Sequence, residues 1–263
     1  MGLRTFGGKP VLIPEGYNGA VLLSRHRLGS APIVVLVAVV LLASNAPAAR
    51  PAPTLPAQIP AAERTRLQEV ADAASVSARA AGEPFVARPE VFEFLLDHPE
   101  FATHVTRALR LARYRIWRGP EGLWLDDGWG AIGQFSVVYA AGGTRVMYAR
   151  GYYQPGFLPS IQGQAVVVIE YGTQPAADQK SLISTAVTGF VKLDSRFLAV
   201  AGKLAGAVAT AKAEKEAQRL VKVFARASRA IDDNPAHVHE RVRQHTDVPA
   251  GDLEEFRRLL HLP

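Results

Sequence analysis

The stretch TAVTGFVKLDSRFLAVAGKLAGAV, residues 185–208, changes its hydrophobic period in the middle. Up to Leu193, apolar residues alternate with polar or small ones, which is typical of a β-strand. From Ser195, apolar residues recur at helical spacing, and this pattern continues to about Ile231. The sequence therefore predicts a strand that leads directly into one long helix.

Five stretches before this strand also alternate with a period of two and are rich in Val, Ile, Tyr, Phe and Trp. Breaks that contain Gly, Pro or Asp separate them, as expected for hairpin turns. We therefore predict an antiparallel meander of six sequential strands. These are Arg113–Arg118, Gly122–Asp126, Ala131–Ala140, Thr144–Tyr153, Gln164–Gly172 and Leu182–Leu193.

Helices are predicted on both sides of the meander. Before it, PFVARPEVFEFLLDHPEFATHV, residues 84–105, predicts a lead strand over residues 85–88 and then two short helices. The helices are expected to meet at Asp97, which would cap the second one. A further helix is expected over residues 62–81. Two small helices are expected to finish the chain, at residues 236–245 and 251–261.

The first 48 residues resemble a secretory signal peptide. The uncharged stretch APIVVLVAVVLLA, residues 31–43, follows Arg25 and Arg27 and precedes an Ala-Pro-Ala cleavage site that ends at Ala48. At 13 residues it is shorter than the roughly 20 that a spanning helix needs. We therefore expect a periplasmic or secreted protein cleaved near Ala48, and the alternative is an N-terminal membrane anchor. The residues before Val21 are long for such a signal, and translation from a later start is an alternative.

Residues 49–61 are expected to form a Pro-rich, extended linker. Removing residues 1–48 leaves 26 basic and 23 acidic residues. The mature chain is therefore much less basic than the sequence pI of about 9.7, which includes the expected signal peptide, implies. Nucleic-acid binding normally needs a concentrated basic face. The nearly balanced charge of the mature chain and its expected secretion both argue against nucleic-acid binding. The chain contains no Cys, so no disulfide can form.

The order of elements resembles the START-like helix-grip superfamily (SRPBCC type), which includes polyketide cyclase-like and lipid-transfer domains. The resemblance rests on residues 84–105 and 185–208 and covers about residues 84–232. It implies an α+β fold in which a curved antiparallel sheet of about six to seven strands wraps around the long C-terminal helix. The helical segment 62–83 and the C-terminal tail 233–263 lie outside the family pattern.

Such a sheet has one face that the long helix covers only in part, and the gap is either filled by side chains or open to a ligand. With a hairpin centred near Ser160, Met147, Ile169 and Tyr171 share one apolar face. A register error of one residue would exchange the two faces. The predicted ligand-binding residues are Phe135, Tyr139, Met147, Ile169, Tyr171, Val187, Phe190 and Leu198.

Two polar or exposed features have alternative interpretations. Arg150 and Glu170 would pair across the predicted hairpin, either as a surface ion pair or as a polar anchor for a ligand headgroup. The loop between these strands contains Phe157, Leu158 and Ile161, which form either a lid that touches membrane lipid or a loop folded on its own sheet.

Catalytic and metal-binding signals are few. The sequence has no Cys nucleophile, no G-x-S-x-G motif and no phosphate-binding glycine loop. His237 and His239 could share a metal only in an extended segment, because positions i and i+2 diverge on a helix. Tyr148 with Arg150 and Glu170 could form an acid–base group in a cyclase-like pocket. We predict no metal site and no cofactor.

The sequence therefore predicts a secreted or periplasmic binder or carrier of a hydrophobic small molecule, such as a lipid or sterol-like compound. Transient membrane contact is expected with this role. A cyclase- or hydrolase-like enzyme on the same scaffold is the alternative, since the fold does not decide between the two.

Overall fold

In a computed structural model, the described part of the chain has an open antiparallel sheet of eight strands at its centre, and six helices pack around this sheet. The structure describes residues 53–154 and 160–263, with only the backbone for residues 195–210 and 212. The strands are β1 (Val76–Ala81), β2 (Phe85–Ala87), β3 (Arg115–Gly119), β4 (Gly122–Asp126), β5 (Ala131–Ala141), β6 (Thr144–Tyr153), β7 (Ile161–Pro175) and β8 (Ser181–Leu193). The helices are α1 (Ala61–Asp72), α2 (Pro89–Asp97), α3 (Pro99–Ala108), α4 (Ser195–Asp233), α5 (Pro235–Arg243) and α6 (Ala250–Leu259).

The α+β class and the six-strand meander are confirmed. Strands β3 to β8 are neighbours in sequence order, and β1 and β2 pair with successive parts of β8. The helix pair α2–α3, the lead strand β2 and the long helix α4 also match the predicted elements. Local periodicity was sufficient for these elements because each buries one regular face.

The predicted helix over residues 62–81 is wrong in its second half. Helix α1 ends at Asp72, and residues 76–81 form β1 at the edge of the sheet. In β1 the buried residues Val76, Ala78 and Ala80 alternate with more exposed neighbours. The sequence does not indicate this strand, because most of its residues are small and have little strand preference. Pairing with β8 determines its conformation.

The last part of the predicted linker belongs to the folded unit. Ile59 is 2% exposed and packs with Leu67 and Val70 of α1, and Leu55 packs against the same cluster. This cluster covers the sheet face that carries Val166 and Phe190, which we call the α1 face. Leu55 and Ile59 therefore anchor this stretch to the domain core, and it is not a free spacer.

Helices α2 and α4 pack on the opposite face of the sheet, the α4 face, with Ile169 and Val187. The C-terminal helices α5 and α6 pack on the outer side of α2 and α3, where Phe256 is fully buried between Phe94 and Phe101. The tail is thus an integral layer of the fold. Phe101 of α3 faces this outer layer and not the sheet.

Asp97 does not cap α3. Its carboxylate accepts two hydrogen bonds from the Arg145 guanidinium, at 2.6 and 3.0 Å, and His98 occupies the cap position. The candidate signal peptide lies outside the described residues. Among the described helices, none is both long and apolar enough to span a membrane.

Candidate ligand-binding cavity

A large apolar cavity lies between the α4 face of the sheet and helices α2, α3 and α4. Its volume is about 890 Å³, within the range of cavities that hold small-molecule ligands. Aliphatic and aromatic side chains make up almost all of its wall. They include Val76, Phe92, Leu95, Leu96, Ile116, Leu125, Phe135, Met147, Val167, Ile169, Val187, Val191, Leu193, Leu220, Val223 and Phe224.

Strand alternation in the β6–β7 hairpin sets this wall. Arg150 pairs with Gln164 and not with Glu170, so the predicted pairing is wrong by six positions along β7. Because six is an even number, Met147 and Ile169 still lie on the face that was predicted for them. The predicted face of these residues is therefore correct, although the predicted centre of the hairpin is wrong.

The structure brings five of the predicted residues to the cavity wall, namely Phe135, Met147, Ile161, Ile169 and Val187. Tyr171 lies on the same face but beyond the wall. Its ring contacts Phe92 edge-on at 5.2 Å, and its hydroxyl donates a hydrogen bond of 2.8 Å to Glu93. Burial and this hydrogen bond raise the pKa of Tyr171.

Tyr139 and Phe190 are on the α1 face, contrary to prediction. A β-bulge at Val138 shifts the pairing of β5, so that Tyr139 opposes Val146 of the α1 face. Phe190 is three residues from Val187 on one regular strand, and an odd separation places the two on opposite faces. The side chains of Leu198, Phe157 and Leu158 lie outside the described residues.

The predicted polar anchor and the predicted acid–base group do not reach the cavity. Arg150 donates two hydrogen bonds to the Gln134 side chain, at 3.1 and 2.8 Å. Glu170 accepts one of 3.0 Å from Arg79, and Tyr148 packs under Arg66. These residues are spread over the α1 face, so they cannot act together on a molecule in the cavity.

Polar groups that the sequence analysis missed occupy one end of the cavity wall. The Tyr114 hydroxyl lies 3.4 Å from a Glu216 carboxylate oxygen, and both residues line the cavity. Burial and the nearby Glu216 charge raise the pKa of Tyr114 to about 12. Arg219, one turn along α4, donates to both Glu216 oxygens at 2.9 and 3.1 Å. Only the fold brings residues 114 and 216 together.

A second polar network lies outside the cavity wall. Arg145 precedes the lining residue Met147 by two positions, and its side chain is 5% exposed. Besides its bidentate contact with Asp97 of α2, its guanidinium lies 5.6 Å from the centre of the Tyr171 ring. This network ties α2, one wall of the cavity, to the start of β6.

The described residues contain no group of three or more His, Asp and Glu side chains arranged to hold a metal ion. The segment that contains His237 and His239 is helical, in α5. His237 is exposed, whereas the His239 ring stacks on Phe256. The two imidazoles therefore point in different directions.

Comparison with known proteins adds no identification. No family model and no curated protein matches the chain. A crystal structure of a hypothetical protein from Helicobacter pylori aligns with a TM-score of 0.33 and 10% sequence identity, over 58% of this chain and 86% of that chain. A similarity at this level carries no argument about fold or function.

Proposed function

We propose that this protein binds or carries a hydrophobic small molecule, such as a lipid or sterol-like compound, after export from the cytoplasm. The observation that carries the proposal is the apolar cavity of about 890 Å³ between the sheet and the helices. A ligand that covers this apolar wall gains about 25 cal/mol of free energy for each Å² of apolar surface removed from water.

The polar groups on the wall are consistent with an apolar ligand, because several of their hydrogen-bonding atoms already bond to other groups of the protein. Thr103 donates to the Glu100 carbonyl at 2.8 Å, and Thr106 donates to the Thr103 carbonyl at 3.1 Å. The Asp127 carboxylate accepts hydrogen bonds from the backbone N–H groups of Trp129 and Ala131. A ligand rich in polar groups would find few partners in the middle of this cavity.

The helix-grip resemblance is part of the proposal. The order of elements supports it, with two short helices, a meander and a long helix that packs on the sheet face lining the cavity. Ile161, predicted to lie in the loop before β7, is instead the first residue of that strand and lines the cavity. A lid formed by this loop, with transient membrane contact during ligand uptake, remains part of the proposal. Export through the N-terminal signal would place such a binder in the periplasm or outside the cell.

Native mass spectrometry of protein purified from its own membrane fraction tests the proposal. We expect a co-purifying apolar compound that organic extraction releases. The emptied protein should then take up the fluorescent probe N-phenyl-1-naphthylamine and transfer lipid between vesicles. A cavity that is empty on purification, takes up no probe and transfers no lipid would refute the proposal.

The same experiment separates binding from catalysis. An enzyme on this scaffold would have Tyr114 and Glu216 as its titratable pair on the cavity wall. A carrier should release its compound with unchanged mass after prolonged incubation. A conversion that is lost in Glu216→Gln would favour the enzymatic alternative.

A further inference from the structure

A half-exposed tryptophan stands beside the polar end of the cavity. Trp129, in the loop between β4 and β5, is 50% exposed. The Asp127 carboxylate accepts hydrogen bonds from the backbone N–H groups of Trp129 and Ala131, at 2.6 and 2.9 Å. Gly128 and Gly130 take positive φ values of 71° and 103°, which side-chain-bearing residues rarely adopt. The loop is therefore shaped by its own sequence to present this ring.

Two guanidinium groups flank the Trp129 ring. Arg113, from the segment before β3, and Arg219, from α4, each place their central carbon 5.4 Å from the ring centre. A cation at this distance from an indole is attracted to its face, and the contact restricts where the guanidinium points. We call Arg113, Trp129 and Arg219 the rim cluster.

The rim cluster lies next to residues of the cavity wall, although its own three side chains are not on the wall. Arg113 precedes Tyr114, a wall residue, and Arg219 holds the carboxylate of Glu216, another wall residue. Asp127, which supports the loop, also lines the cavity. The two guanidinium groups therefore lie close to this part of the cavity wall.

The two guanidinium groups of the cluster differ in their ion pairing. Glu216 pairs with Arg219, whereas among the described residues no ion pair within 4.0 Å joins Arg113 to a carboxylate. The loop carboxylates of Asp126 and Asp127 accept hydrogen bonds from backbone N–H groups of their own loop. Arg113 is exposed, so its guanidinium can contact a ligand without losing an existing ion pair. Planar guanidinium groups bind carboxylate and phosphate oxygens with two parallel hydrogen bonds.

We infer that the rim cluster binds the anionic oxygen headgroup, carboxylate or phosphate, of an amphiphile whose apolar tail fills the cavity. This inference rests on the proposed function and narrows the ligand class to anionic amphiphiles. Trp129 suits this position because an indole ring packs on the apolar chain near the headgroup while its N–H remains hydrated. A neutral sterol-like molecule would leave Arg113 without a ligand partner.

Two probes with the same tail test the inference. Fluorescence titration of the emptied protein with cis-parinaric acid and with its methyl ester measures the contribution of the charge alone. We expect Arg113→Gln to weaken binding of the acid about tenfold, which corresponds to about 1.4 kcal/mol. Binding of the ester should change by less than about twofold. Added NaCl should weaken binding of the acid but not of the ester, because salt screens exposed charges.

Arg118→Gln is the matched control. Arg118 is also on this edge of the sheet, its side chain is 70% exposed, and it does not line the cavity. We expect it to leave both titrations unchanged within about twofold. Trp129→Leu is a second test that preserves every charge, and it should also weaken binding of cis-parinaric acid.

Competition distinguishes the sources of the anion. Palmitate and lysophosphatidic acid should each displace bound cis-parinaric acid, and inorganic phosphate should not, because it has no tail. Displacement by inorganic phosphate at similar concentrations would overturn the amphiphile inference. The amphiphile inference would also be overturned if the acid and the ester bound with equal affinity and Arg113→Gln changed neither affinity. The proposed apolar cavity would not be affected by that result. Failure of both probes to bind would overturn the proposed function together with the inference.

Discussion

Gly189 offers the sharpest test of whether the cavity is open. It lies on β8 between Ala78 of β1 and Val167 of β7, and it lines the cavity. A Cβ atom built on this residue meets no heavy atom within 4 Å. Gly189→Leu would therefore project a side chain into empty space and reduce the room available to a ligand.

The structure predicts that this variant is more stable than the parent when no ligand is bound. Burying a leucine side chain contributes about 1.5–3 kcal/mol, and fixing its rotamer costs about 0.5–1 kcal/mol. The net gain is about 0.5–2.5 kcal/mol. For a chain of this size it should raise the Tm by about 1–10 °C.

Thermal unfolding of the emptied protein gives the sign of the effect. If side chains already fill the space, the added leucine overpacks the core, costs about 1–3 kcal/mol and lowers the Tm. A lower Tm in Gly189→Leu would thus refute the open cavity. Binding of cis-parinaric methyl ester should weaken about tenfold, because the ligand must now compete with the leucine for volume.

Gly172→Leu is the matched control. Gly172 lies on the neighbouring strand β7, and a Cβ atom there also meets nothing within 4 Å. It is exposed and does not line the cavity. The control introduces the same residue into a strand without reducing the cavity, so ester binding should stay at the parent value.

Three further predictions concern stability, each measured by urea unfolding. Asp97→Asn should cost about 1–3 kcal/mol, because it leaves the buried Arg145 without its carboxylate. Phe256→Ala should cost about 3–5 kcal/mol, because the ring is fully buried between α2, α3 and the C-terminal helices. Burial lowers the pKa of His104 below its usual 6.5, although Asp247 opposes this. The unfolded chain therefore takes up a proton before the folded one, and stability should fall as the pH drops below about 6.5.

Each of these stability predictions has its own check. The double variant Asp97→Asn, Arg145→Met should recover part of the loss, because no buried cation then remains unpaired. A cost below about 1 kcal/mol for Phe256→Ala would show that the C-terminal helices are not part of the core. His104→Gln should flatten part of the pH dependence. A similar flattening by His237→Gln, at an exposed position of α5, would contradict the assignment to His104.

The cavity wall could be predicted only where strand alternation was regular. Met147, Ile169 and Val187 are on uninterrupted strands, so the parity of their positions determined the face. Tyr139 follows a bulge that no local pattern announces. On the helical side, the apolar residues Phe92, Leu95 and Leu96 of α2 line the wall.

The rim cluster and the polar network at Arg145 were outside the reach of sequence patterns. Arg113 and Trp129 are far from Arg219 along the chain, and they meet only because the fold brings the Arg219 side chain of α4 to the Trp129 ring. Arg145 and Asp97 belong to different elements whose relative placement depends on the packing of α2 on the sheet. Single charged residues carry no period, so nothing in the sequence distinguishes them from solvated surface residues.

The sequence by itself determined the order and type of most elements, because alternation and helical spacing are local properties that each strand and helix displays alone. Only the tertiary structure decided that residues 76–81 complete the sheet edge, that the tail covers α2 and α3, and which charged side chains meet. These features depend on contacts between residues distant in the chain. Such contacts depend on packing and desolvation in the assembled fold, which no short stretch of sequence encodes.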